Sequence, residues 1–167
     1  PGINAMGVSY DYALREDLAP LMQAVQASSG RSVNRMLQTD RSSADLLNKI
    51  LEAIGFKRED VFICNVLKHR PPGNRNPSKP EIAACSPFLL RQLDILAPRV
   101  ILALGTFAAQ TLLETDSPIG KLRGQEHRYH GIPLVATYHP AALLRNPNWK
   151  RPAWEDVQLA RRIFDRT

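Results

Sequence analysis

The chain has 167 residues, with 22 Lys and Arg against 16 Asp and Glu, for a formal net charge of +6. At 44% hydrophobic and 23% charged residues, the composition excludes a disordered or fibrous chain. No apolar run approaches the length of a membrane span, and the size suits one domain. Pro1 to Tyr10 lacks the basic flank and apolar run of a secretion signal. Two cysteines, Cys64 and Cys85, cannot build a disulfide framework, so the expected setting is reducing, intracellular and cytoplasmic. The charge is uneven: residues 1–45 hold 4 basic and 5 acidic residues, and residues 46–167 hold 18 and 11. A polyanionic partner would therefore meet the second part of the chain.

In chain order, Tyr12 to Ala27 carries Leu14, Leu18, Leu21, Met22 and Val25 at helical spacing, with Pro20 able to kink or split the element. No convincing strand precedes residue 60. A second helix is expected over Ala44 to Ile54, stopped by Gly55. Val61 to Val66 is a short β-branched run, expected as a buried strand, and a proline-rich polar loop follows over His69 to Pro77. Ser78-Lys79-Pro80-Glu81 fits a capping box with proline in the first turn. The helix after it would bury Ile82, Cys85, Leu89, Leu93 and Leu96, with Pro87 kinking or delaying it. Arg99 to Leu104 predicts a second strand, Thr106 a cap for a helix through Leu113, and Leu134 to Tyr138 a third strand. Pro152 opens a last helix, with Trp154, Val157, Ala160 and Phe164 on one face and Leu159 and Ile163 on a second stripe.

Strands alternating with helices predict an α/β fold, with a mostly parallel sheet of three to four strands flanked by helices. Ligands in such sheets bind beyond the carboxyl ends of the strands, which here carry Asn65, Gly105 and His139. Three segments there can carry chemistry. The loop from Lys68 to Pro77 is stiffened by prolines and bears Lys68, Arg70 and Arg75, which suits phosphate contact or, alternatively, only a solvated surface. His139 ends a strand and precedes Pro140. Beyond it, Leu143, Leu144 and Arg145 suit a wedge into a base stack with cations on phosphates; the alternative makes the histidine structural and the leucines core. Asn65 offers the donors and acceptor that match a nucleobase edge, or simply forms a turn. His127, Tyr129 and His130 precede Gly131 and suit a hairpin. Cys64 and Cys85 read as core.

Several of these segments, in this order, resemble the family 4 uracil-DNA glycosylases, the iron–sulfur branch of that superfamily. The resemblance rests on Asn65-Val66-Leu67-Lys68-His69-Arg70-Pro71-Pro72-Gly73-Asn74-Arg75, on Glu81 to Cys85, and on Leu104 to Gln110. It continues through Leu122-Arg123-Gly124, Tyr138 to Pro147 and Trp154-Glu155-Asp156. It covers the chain from about Leu46 to Ile163. It implies a monomeric DNA base-excision repair enzyme that hydrolyses the N-glycosidic bond of uracil in DNA, with the target nucleotide turned out of the duplex. By resemblance, Asn65 reads the uracil edge and His139 donates on the O2 side. Leu143, Leu144 and Arg145 enter the duplex.

The chain departs from the family pattern in a cluster of places. No Cys-x-x-Cys pair is present. The third ligand of the family's 4Fe–4S cluster, the cysteine of a Lys-Cys-Arg-Pro-Pro run, is replaced by His69, and only Cys85 matches a ligand position. These two remnant positions cannot hold a cluster that needs four ligands, so none is expected in this chain. The Gly-Glu-Ala-Pro-Gly and Pro-Phe-Val-Gly segments, which position water and stack on uracil, are absent too. Residues 1–45 therefore read as a divergent helical segment and 46–167 as the uracil-DNA glycosylase-like domain. No replacement is found in residues 1–45 for the family's central strand, which leaves β-strands 61–66 and 99–104 to pair directly or to pack poorly. A truncated or rearranged N-terminus would account for these absences together. The competing expectations are a catalytically impaired relic or a non-enzymatic DNA-binding module, or another hydrolase on a similar sheet.

Overall fold

A computed structural model describes residues 7–11, 41–67 and 77–167, the first of these as backbone only. The predicted helix over Tyr12 to Ala27 lies outside them. Five strands form one sheet: β1 (Gly7–Asp11), β2 (Val61–Asn65), β3 (Val100–Leu104), β4 (Glu126–Tyr129) and β5 (Ile132–Thr137), in the order β2-β1-β3-β5-β4. The helices are α1 (Arg41–Ala53), α2 (Lys79–Leu96), α3 (Thr106–Leu113), α4 (Ile119–Leu122), α5 (Pro140–Arg145) and α6 (Lys150–Arg166).

The α/β class is as expected, but the sheet is mixed. β3 and β5 pair in parallel, while β1 is antiparallel to both β2 and β3, and β4 is antiparallel to β5. The expectation of no strand before residue 60, with a gap at the sheet centre, is corrected by β1. Its backbone fills the place between β2 and β3, with Val8 opposite Cys64 on one side and Ala103 on the other. Because β1 opposes both neighbours, β2, β3 and β5 all run in one direction. Their carboxyl ends share one edge of the sheet.

Side chains alternate along β3 and β5 with the two-residue period of a strand. Ile101, Ala103, Leu134 and Ala136 enter one core, with Leu89 and Leu93 of α2, Ala108 and Leu112 of α3 and Leu122 of α4. Val100, Leu102, Leu104 and Val135 enter the other, with Leu47 and Leu51 of α1 and Val157, Ala160 and Ile163 of α6. All five residues of β3 are buried, as an interior strand covered on both faces requires.

Local signals explain the helix ends. At α2 the Ser78 amide and hydroxyl both donate to Glu81 Oε2, at 2.7 and 3.0 Å, so the capping box forms as predicted. The helix runs on through Pro87 without interruption. Ala83 and Pro87 lie on its solvent face, where the carbonyl deprived of its amide partner can be hydrated. Ile82 is half-buried rather than core. At α3 the cap is Gly105, not Thr106 as predicted: its φ of 91° favours a residue without Cβ, and its amide donates to the Thr137 carbonyl at 2.8 Å. His130 and Gly131, both at positive φ, turn the β4–β5 hairpin, as the two-residue hairpin rule leads one to expect. α6 begins at Lys150, before Pro152, and its buried stripe is Ala153, Asp156, Val157, Ala160 and Ile163. That stripe is rotated from the face predicted through Trp154 and Phe164, which are half-buried.

Candidate active site

The shared carboxyl edge brings two predicted residues to the same side of the sheet. Asn65 is the last residue of β2 and His139 lies two residues beyond the end of β5. Two strands stand between β2 and β5, which at the usual spacing puts these tips about 14 Å apart along the edge. Asn65 is half-buried. Val66 and Leu67, directly after it, are buried and anchor the turn.

His139 is held more closely. Only 6% of it is exposed, and it serves as the N-cap of α5, with its Nδ1 accepting from the Ala141 amide at 3.1 Å. Pro140 follows in the first helical turn, where its missing N–H costs nothing. An Nδ1 that accepts a backbone hydrogen bond carries no proton, so in the neutral ring the proton sits on Nε2.

A buried charge network fixes the strand that leads to His139. Asp156 of α6 is fully buried. It accepts from Arg123 Nε and Nη2, both at 2.9 Å, and from the Thr137 hydroxyl at 2.8 Å. Arg123 Nη2 also donates to the Pro152 carbonyl at 2.7 Å, and the guanidinium lies 5.8 Å from the centroid of the Tyr138 ring. Burial pushes the Asp156 carboxyl up, against the opposing pull of the Arg123 and Thr137 hydrogen bonds and the Arg123 charge. Tyr138 in turn stacks on Trp149, with centroids 4.7 Å apart and planes at 9°. Residue-by-residue reasoning gave this network no role. Its signal was a carboxylate in register with Ala153, Ala160 and Ile163 on an apolar helical stripe, since a buried charge demands a partner.

The duplex-entry segment divides. Leu143 is 2% exposed, on the short α5 that packs against α1. Its assignment as a wedge is corrected: in this structure it is core. Leu144 is 43% exposed and Arg145 beside it is exposed. Lys68, His69, Arg70 and Arg75 lie outside the described residues. His127 Nε2 bonds to the Leu122 carbonyl, tying β4 to α4, and Tyr129 meets His130 edge to face within the hairpin.

The donor set does not fit the cluster that the family resemblance implies. The chain has two thiols, one half-buried on β2 and one buried on α2. No group of three or more His, Cys, Asp or Glu side chains converges among the described residues. Among the same residues, no helix is long and apolar enough to cross a membrane.

Comparison with known proteins places this geometry in context. The model of the uracil DNA glycosylase superfamily matches residues 23–158. A type-4 uracil-DNA glycosylase of Sulfurisphaera tokodaii is 41% identical over 126 residues, covering 71% of this chain and 57% of that protein. One from Pyrobaculum aerophilum is 43% identical over 126 residues, covering 71% and 64%. A type-5 uracil-DNA glycosylase of the same organism is 30% identical over 135 residues, covering 72% and 59%. The matched part of the chain thus spans about three fifths of the length of these relatives.

Proposed function

The chain belongs to the uracil-DNA glycosylase superfamily, and from that premise we propose that it excises uracil from DNA, hydrolysing the N-glycosidic bond as the opening step of base-excision repair. The observation that carries the reading is the orientation of His139. With Nδ1 accepting from the Ala141 amide, Nε2 is the ring nitrogen that carries the proton in the neutral imidazole. Aimed at uracil O2, that donor stabilises the negative charge that develops on the base as its bond to C1′ breaks. Water supplies the oxygen to C1′, and uracil leaves as an anion that takes a proton from solvent.

Asn65 reads the edge of the extruded pyrimidine with its amide donors and acceptor. The interval between the tips of β2 and β5 suits two side chains, their hydrogen bonds and one pyrimidine ring. Lys68, Arg70 and Arg75 hold phosphates, and Leu144 and Arg145 fill the space the base vacates, with Leu143 anchoring them from the core. The protein acts as a monomer on uracil-containing DNA in a reducing, cytoplasmic setting. Cys85 and His69 are remnant positions and hold no cluster.

The test is a uracil-containing oligonucleotide incubated with the protein and treated with alkali. Strand cleavage that disappears in His139→Ala supports the reading. Binding without cleavage by the unaltered protein would leave a DNA-binding module and overturn the enzyme.

A further inference from the structure

Three large hydrophobic side chains stand exposed among the described residues: Phe88, Leu144 and Trp149. Two of them flank the site. Leu144 belongs to the duplex-entry segment, whereas Trp149 lies beyond it, at the end of a 3-10 turn (Pro147–Trp149) that leads into α6. Nothing in the proposed excision chemistry uses it.

The construction around Trp149 is that of a platform rather than a loose surface residue. One face of its indole is stacked on Tyr138, the residue immediately before His139, and 38% of the residue remains open to solvent. Its backbone is fixed by its amide, which donates to the Asn146 carbonyl at 3.2 Å. The turn itself is capped by Asn146 Oδ1, which accepts from the Asn148 amide at 3.2 Å. Arg123 approaches the same Tyr138 ring, tying the stack to the buried Asp156 network. An aromatic face immobilised before its ligand arrives loses little entropy on binding.

Its surroundings are cationic. Arg145, Lys150 and Arg151, within four residues of it in the chain, are exposed, and of these Arg151 meets Glu155 at 3.7 Å. A partly exposed, stacked indole with cations beside it in the chain matches a polymer that carries flat bases on a phosphate backbone, and bases stack on aromatic side chains without regard to sequence. We propose that Trp149 is a base-stacking platform for single-stranded DNA, taking an unpaired nucleobase beside the nucleotide that reaches His139. The inference rests on the reading of the protein as a DNA enzyme, but assigns a contact outside the base pocket and outside the duplex-entry segment.

The test uses the full chain and a short fluorescein-labelled oligothymidylate, free of uracil. Trp149→Ala should weaken binding roughly ten-fold, and Trp149→Phe should restore most of it. Trp149 and Trp154 are the two indoles of the chain. In Trp154→Phe, emission therefore reports Trp149 alone, and unlabelled oligothymidylate should quench it. Unchanged affinity in a folded Trp149→Ala would overturn the platform and leave the excision reading standing. Unquenched emission at saturation would do the same, whether or not the alanine variant folds. Failure of the unaltered protein to bind single-stranded DNA would overturn the platform, while the alkali-cleavage assay decides the excision reading separately.

Discussion

The Thr137 hydroxyl donates to Asp156 Oδ2 across 2.8 Å, joining the last residue of β5 to the middle of α6 two positions before His139. Arg123 completes the arrangement with two nitrogens on the same carboxylate. Desolvating such a pair is expensive, and only good geometry with satisfied donors offsets it. Here the guanidinium reaches a further acceptor on Pro152, so the network holds the strand tip without leaving a buried charge unmatched.

Thr137→Val removes the hydroxyl while keeping the shape. The lost hydrogen bond to a charged acceptor is worth about 1.5–3 kcal/mol, so the variant should unfold at lower urea by that amount. Thr137→Ser should recover most of it. Urea denaturation of the three proteins checks both statements.

The Asp156 network also sets a pH dependence. Burial raises the carboxyl above its ordinary 3.8, so between that value and the raised one the folded chain keeps a proton that the unfolded chain has released. The Asp156 contribution to stability is full below 3.8 and is lost as pH rises through the raised value. Asp156→Asn abolishes this titration. The stability margin of the unaltered protein over the variant should therefore be wider at about pH 4 than at about pH 7, measured by urea denaturation at each. A margin that widens toward neutrality would mean that the Arg123 pair outweighs burial.

His139 has a structural duty and a proposed chemical one, and two variants separate them. Alanine loses both; asparagine is among the better N-caps and keeps the bond to Ala141. His139→Asn should be about 1 kcal/mol more stable than His139→Ala, and neither should release uracil. Denaturation paired with the alkali-cleavage assay reads the two effects apart. Equal stabilities would show that the cap contributes nothing.

The adjacent leucines should behave as opposites. Leu143→Ala opens a cavity and should destabilise by about 2–5 kcal/mol. Leu144→Ala should change stability by less than about 0.5 kcal/mol while weakening binding to uracil-containing DNA. Denaturation and fluorescence anisotropy on the two variants check this.

Most of the frame was legible because its signals are local. The capping box at Ser78, the apolar runs of β3 and β5 and the amphipathic stripe of α1 each arise from a few neighbouring residues, and each appears where expected. The shared edge carrying Asn65 and His139 followed from strand direction alone. β1 was not legible: Gly7-Val8-Ser9-Tyr10-Asp11 is short and half polar, and only its two neighbours make it a strand. The split between Leu143 and Leu144 escaped for a related reason, since either could face inward until α5 packs on α1. Asp156 was visible as part of a motif, but its burial follows from the phase of α6, which was read with Trp154 and Phe164 beside Val157 and Ala160, where Ala153 and Ile163 stand.

Gly7–Asp11 has consequences beyond the sheet order. β2 touches the remaining three strands only through this ribbon, which bonds to partners on both flanks. Five residues thus act as a keystone of the ladder: pulling them out would leave β2 without a hydrogen-bonded strand beside it. The slowness of amide deuteration along that ribbon is accordingly a gauge of how firmly the β2 edge is held to the rest of the sheet.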